Sequence, residues 1–217
     1  LKVPGDSHAV LDSAIATTNN HWSLSFWVCH EDSGEVLTFT IGRDSINNIL
    51  LSGESPGANK LNYRATGGGY HILSDAVIPH KEWVHIVITA IADTSMTAYV
   101  NGVAQATNSA MSDTELIFDK LMRGYSNGEW PTVGSMTEIS YYNTTLTAAN
   151  ALDLYNDGKA KSALEASGSG SLQNYWRNNG LSEWKDLKST IDANVTNTTE
   201  TILIPAGVDS TRDNQGF

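Results

Sequence analysis

The sequence predicts an all-β sandwich of two antiparallel sheets with one short helix and a C-terminal extension. Three observations carry this expectation. Before residue 145 the apolar residues come in short runs rich in β-branched and aromatic types, without helical spacing. The runs recur about every ten residues and are broken by turn residues, the rhythm of a sandwich or jelly roll. Asn101-Gly102, set between two such runs, is the dipeptide best suited to a type I′ hairpin turn.

Taken in order, the runs predict strands at Ser23–His30, Val36–Gly42, Asn48–Ser52, Lys60–Thr66, His71–Ser74, Trp83–Ile91, Met96–Val100, Val103–Thr107 and Met136–Tyr142. Between them lie Ser33-Gly34, Ser55-Pro56-Gly57, Gly67-Gly68-Gly69 and Asp93-Thr94-Ser95. These are turn sequences because glycine accepts positive φ and Asp or Asn bonds its own backbone. The stretch from Trp83 to Ile91 is apolar at nearly every position, which predicts a central strand covered on both faces.

Thr147 is the N-cap of one expected helix over Ala148–Asn156, with Gly158 as its stop. A further helical turn is expected over Lys159–Glu165. The sandwich is thus assigned to residues 1–164. Ala166-Ser167-Gly168-Ser169-Gly170-Ser171 has the composition of a flexible linker, placed at 165–171. Residues 172–217, with Trp176, Trp184 and Ile202-Leu203-Ile204, are then an extension for assembly or docking.

The chain has 217 residues, 13 of them Lys or Arg against 24 Asp or Glu, for a formal net charge of −11. Phosphate backbones require clustered cations, so nucleic acid is disfavoured as a partner. Acidity suits solubility, calcium binding or a cationic partner. The lone cysteine, Cys29, excludes an intrachain disulfide and reads as a buried, inert thiol in Phe26-Trp27-Val28-Cys29. No apolar stretch approaches the length that spans a bilayer, so no membrane insertion is expected. Beginning at Leu1 without methionine, the chain reads as a piece of a longer protein.

Several runs, in order and spacing, match a known pattern. Ser25-Phe26-Trp27-Val28, Trp83-Val84-His85-Ile86-Val87-Ile88-Thr89 and Tyr99-Val100-Asn101-Gly102 come first. Glu138-Ile139-Ser140-Tyr141-Tyr142-Asn143, Leu146-Thr147 and Leu154-Tyr155-Asn156-Asp157-Gly158 follow. Over roughly residues 1–160 the chain resembles the laminin-G-like branch of the concanavalin A-like lectin/glucanase superfamily. The resemblance implies a concanavalin A-like jelly roll, a scaffold that hosts lectins, adhesins, enzymes and virion proteins alike.

The tail motifs Tyr175-Trp176-Arg177-Asn178-Asn179-Gly180, Trp184-Lys185-Asp186-Leu187, Thr201-Ile202-Leu203-Ile204-Pro205 and Arg212-Asp213-Asn214-Gln215-Gly216-Phe217 are similar to segments that accompany such domains in tailed-phage structural proteins. Together the two resemblances imply a non-enzymatic structural or adhesive protein of a virion surface, in a capsid decoration or fibre role. Its partners would be other virion proteins or its own copies, with host-surface glycans as a further partner. The alternative is a carbohydrate-binding, lectin-like module of a secreted or surface protein.

An enzyme is not expected. Glucanases of this fold carry alternating acids on one strand, in a Glu-x-Asp-x-Glu-like run, so that both carboxyls reach one cleft. The nearest stretches here, Asp113-Thr114-Glu115 and Glu31-Asp32, lack the third acid. The six histidines have no catalytic motif context, and His85 reads as a hydrogen-bonded core or sheet-edge residue.

For ligands, an aromatic platform beside amides or carboxylates is the signature of sugar recognition. Tyr125, Asn127, Glu129 and Trp130 form the first such loop, and Tyr70 with His71 the second. No cofactor is expected, with calcium as the one candidate ion. Oxygen-rich loops at Asp44 and Asn47 and at Asp113 to Asp119 are its candidate ligands, against the competing reading of solvated turns. Relatives often carry an Asp before the Glu of the last strand; Thr137 stands there in this chain and weakens a calcium site carried over from the family.

Overall fold

Strand alternation and turn chemistry produce a two-layer β-structure in this computed structural model, which describes residues 8–17, 21–30, 37–43, 48–52, 59–64, 69–105, 111, 113–122, 134–178 and 183–196. In chain order the strands are β1 (His8–Ala16), β2 (Trp22–His30), β3 (Leu37–Gly42), β4 (Asn48–Ser52), β5 (Lys60–Arg64), β6 (Tyr70–Ile72), β7 (Val84–Ile91) and β8 (Ser95–Val100). They continue with β9 (Val103–Ala104), β10 (Ile117–Leu121), β11 (Gly134–Tyr142), β12 (Leu172–Trp176), β13 (Glu183–Trp184) and β14 (Ala193–Thr196), and helix α1 (Ala148–Tyr155) follows β11. One sheet has the order β13-β14-β1-β10-β3-β4-β5-β6, and the other β12-β11-β2-β7-β8-β9. Neighbouring strands run antiparallel.

The core between the sheets follows from side-chain alternation. Leu24, Phe26 and Val28 of β2, Val84, Ile86 and Ile88 of β7, and Met136 of β11 meet Ile41, Ile49, Leu51, Leu61 and Tyr63 from the facing sheet. The opposite face of β7 is also covered. Val87 joins Tyr142, Leu146, Ala151, Leu154, Leu172 and Tyr175 in a second apolar cluster beneath α1. This double burial explains why β7 is apolar almost throughout. Asn101 and Gly102 both have positive φ, 49° and 76°, as a type I′ turn requires, and they join β8 to β9.

Helix α1 starts where the sequence indicates. The Thr147 side chain accepts from the Asn150 amide at 3.2 Å, and Asn150 Oδ1 accepts from the Thr147 amide at 3.0 Å. This is a capping box with Asn in the usual Glu/Gln position. Asn156 in the left-handed conformation closes the helix, and Gly158 follows in a 3₁₀ turn. Over 159–165 there is only a turn, with the Glu165 amide donating to the Ser162 carbonyl at 3.0 Å.

The largest departure lies beyond residue 164. The stretch read as a linker folds onto α1: Ser167 donates its amide to Asp153 at 2.8 Å, and Asn150 Nδ2 donates to Ser167 Oγ at 2.9 Å. The chain then supplies strands to both sheets, β12 against β11 and β14 against β1. Trp176 and Trp184 enter the inter-sheet core, and Trp176 Nε1 donates to the Ile191 carbonyl at 2.6 Å. Residues 172–178 and 183–196 therefore complete the sandwich and do not hang from it. Composition misled because Gly and Ser serve tight turns as well as flexible links.

Strands β1 and β10 were not expected either. The register of β1 shifts between Val10 and Ile15, so a bulge interrupts its alternation. Asp119 and Lys120 interrupt β10, which nonetheless lies between β1 and β3.

Candidate functional site

At the β6 edge of the eight-stranded sheet, the face turned away from the core collects polar and aromatic groups. Leu61 and Tyr63 of β5 point into the core, so Lys60, Asn62 and Arg64 point the other way. Register places Asn48, Arg64 and Tyr70 in one cross-strand row, with Leu50, Asn62 and Ile72 in the next. The Arg64 guanidinium carbon lies 5.0 Å from the centroid of the Tyr70 ring. Tyr70 is 44% exposed and Ile72 41%, whereas Asn62 is fully buried. Asn62 Nδ2 donates to the Lys60 carbonyl at 2.7 Å, which fixes the amide and leaves Oδ1 without a partner among the described residues. Arg64 Nε is likewise buried without an acceptor among them.

Contacts on the core side hold this edge. The Leu73 amide extends the β5–β6 pairing to the Leu61 carbonyl at 2.8 Å. Ser74 Oγ accepts from the Leu61 amide and donates to the Ala76 carbonyl, each at 2.9 Å.

Of the residues expected to recognise sugar, Tyr70 lies on this face. His71 turns to the other side, with its ring centroid 6.3 Å from that of Tyr63. Tyr125, Asn127, Glu129 and Trp130 lie outside the described residues, as do Asp44 and Asn47. Asp113 Oδ1 accepts from the Glu115 amide at 3.1 Å. Asp119 sits on β10, with Arg43 at 3.7 Å and Lys120 at 3.2 Å from its oxygens, so cations already offset its charge. Among the described residues no group of three or more His, Cys, Asp or Glu is placed to hold a metal ion. The sequence reading passed over Asn62 and Arg64, although the polar–apolar alternation of Lys60-Leu61-Asn62-Tyr63-Arg64 was their signal.

Two buried polar clusters lie on the outer face of the six-stranded sheet. Ser25 Oγ and His85 Nε2 are 2.9 Å apart, the spacing of a nucleophile and its base. Both are sealed, and the His85 ring packs beside Trp27 and Tyr155 with centroid separations of 5.2 and 6.2 Å. Burial pushes the His85 pKa down to about 3, and its Nδ1 meets no orienting carboxylate among the described residues. This pair is core structure. In the second cluster Arg177 Nε donates to Glu138 Oε1 at 2.7 Å and Arg177 Nη2 to the Tyr175 hydroxyl at 2.7 Å, while that hydroxyl donates to Glu138 Oε2. Burial, then the Glu138 charge, raises the Tyr175 pKa above its ordinary value. Burial opposes the Arg177 charge, but Glu138 and Tyr175 outweigh it and raise the guanidinium pKa.

The Laminin_G_3 family model, described as Concanavalin A-like lectin/glucanases superfamily, matches residues 4–152. The chain belongs to this superfamily. No curated protein matches the chain as a relative. Among solved structures, the superfamily domain is similar to a Bacteroides ovatus protein provisionally assigned as carbohydrate binding, with a TM-score of 0.64 and 15% identity over 96% of this chain and 63% of that one. The domain thus spans less than two thirds of that protein's length. It is also similar to the heptameric SAP-like pentraxin of Limulus polyphemus, with a TM-score of 0.52 and 13% identity over 71% and 78% of the two chains. Domain 4 of AbnA, a GH43 extracellular arabinanase of Geobacillus stearothermophilus solved with arabinotriose, gives a TM-score of 0.51 and 20% identity over 64% and 69%. At these identities the likeness is one of fold.

Proposed function

We propose that this chain is a non-catalytic carbohydrate-binding module that works outside the cell or on a particle surface. One observation carries the reading: the exposed Tyr70 ring lies beside the Arg64 guanidinium on one sheet face, next to Asn62 Oδ1 and Arg64 Nε, which have no partner among the described residues. A sugar offers hydroxyl donors and acceptors together with an apolar ring face, which match this set. The fold shared with the Bacteroides protein and with an arabinanase domain solved with arabinotriose supports the same reading.

The finer placement, an adhesive component of a tailed-phage particle that meets host-surface glycans, rests on the tail motifs. Two of these, Tyr175–Gly180 and Trp184–Leu187, contribute strand residues to the sandwich, and the other two lie outside the described residues. A glycan array of the wild type and Tyr70→Ala tests the binding reading. Saccharide binding weakened at least tenfold in the variant supports it, and a wild type that binds no glycan overturns it. Electron microscopy of particles from the native source tests the placement, which fails if the protein is found apart from them.

A further inference from the structure

Among the described residues, the β5 face carries cations without acidic neighbours. Lys60, Asn62 and Arg64 share that face, and their cross-strand neighbours are Ser52, Leu50 and Asn48 on β4 and Ile72 and Tyr70 on β6. None of these neighbours is acidic, although the chain as a whole carries a net charge of −11. The contrast with the other described arginines is sharp. Arg43 faces Asp119 at 3.7 Å and Arg177 faces Glu138 at 2.7 Å, while Arg64 and Lys60 have no ion-pair partner among the described residues. A buried guanidinium N–H without an acceptor costs free energy that an incoming anion would recover. The arginine fork also matches a carboxylate or sulfate better than a neutral hydroxyl.

Resting on the carbohydrate-binding reading above, we infer that this face selects an acidic saccharide, bearing a carboxylate or a sulfate. The anionic group meets the Arg64 guanidinium, and the sugar's apolar face packs against the exposed Tyr70 ring. Lys60, two positions further along the same face, serves a second anionic residue of an oligomer. Direct pairing with the guanidinium makes the affinity fall as salt rises.

The test uses the full chain against matched oligosaccharides: a neutral galacto-oligosaccharide, an oligogalacturonate and a sulfated galactan oligomer, titrated by calorimetry. Tighter binding of either acidic probe than of the neutral one supports the inference, provided Arg64→Gln weakens it at least tenfold. The stronger acidic arm then identifies carboxylate or sulfate as the group recognised. Arg64→Lys, which keeps the charge and loses the fork, retains part of the affinity and guards against a folding defect in the first variant. Equal binding of neutral and acidic probes, unchanged by Arg64→Gln but lost in Tyr70→Ala, overturns the acidic preference and leaves the site standing. Failure of all three probes, with no other saccharide bound on the array, overturns the inference and the binding reading together.

Discussion

Arg177 Nε donates to Glu138 Oε1 at 2.7 Å across 39 positions of sequence, and both side chains are almost sealed from solvent. Glu138 sits at a register shift of β11 with φ at +52°, a conformation that costs a non-glycine residue about 1–3 kcal/mol. The ion pair and the Tyr175 hydroxyl hold that bulge in place while tying β12 to the sheet. Removing Arg177 leaves the buried Glu138 carboxylate without its guanidinium counter-charge. Arg177→Met is expected to destabilise the fold by about 3–5 kcal/mol. Adding Glu138→Gln should recover part of the loss, because the uncompensated carboxylate charge is gone. Denaturant midpoints of the two variants decide this, and an equal midpoint for wild type and Arg177→Met would refute it.

His85 predicts a pH dependence. Its ring is sealed by Trp27, Tyr155 and Ser25, and burial lowers its pKa from 6.5 to about 3. The unfolded chain binds the proton at higher pH than the folded chain. The stabilisation is therefore complete above pH 6.5 and is lost progressively as pH falls toward 3. Within that window the slope is about 1.4 kcal/mol per pH unit. Carboxylates add their own slope below about pH 5, so the measured quantity is the difference between wild type and His85→Gln from pH 7 to pH 4. A difference that stays constant over that range would remove His85 as the cause.

Gly134 predicts a packing limit. It opens β11 opposite His30, and a Cβ there would press into the Cys29 carbonyl oxygen and lie 2.8 Å from His30 Cα. Backbone cannot swing aside as a side chain can. Gly134→Ala should cost at least the 1–3 kcal/mol typical of overpacking, read as a lowered thermal midpoint. By contrast, Gly170→Ala meets nothing within 4 Å and should leave the midpoint unchanged.

Much of this architecture was legible because its strands obey local rules. The apolar run of β7, the Asn101-Gly102 turn and the Thr147 cap are each decided within a dozen residues. What escaped depends on distant partners. The alternation of β1 is broken by its bulge, and β10 carries Asp119 and Lys120 near its middle. The site was half legible. Tyr70 stood out as an aromatic after glycines, while Arg64 and Asn62 matter only because β4 and β6 flank β5 and leave Arg64 Nε and Asn62 Oδ1 without a partner among the described residues.

The C-terminal strands yield the last prediction. If residues 172–196 were a detachable extension, a chain ending at residue 171 would keep its stability. The structure implies otherwise. Removal exposes the β11 edge, strips Trp176 and Trp184 from the inter-sheet core, and uncovers β1 where β14 pairs with it. Truncating a single buried aromatic of this size to alanine costs about 3–5 kcal/mol, so losing two approaches the whole stability of a domain. The truncated chain should therefore unfold without a cooperative transition and expose apolar surface to a hydrophobic dye. Trp176→Ala in the full chain should show a graded form of the same loss, lowering the midpoint while keeping the transition cooperative. A truncation that melts as sharply as the wild type would return these strands to the role of an appendage.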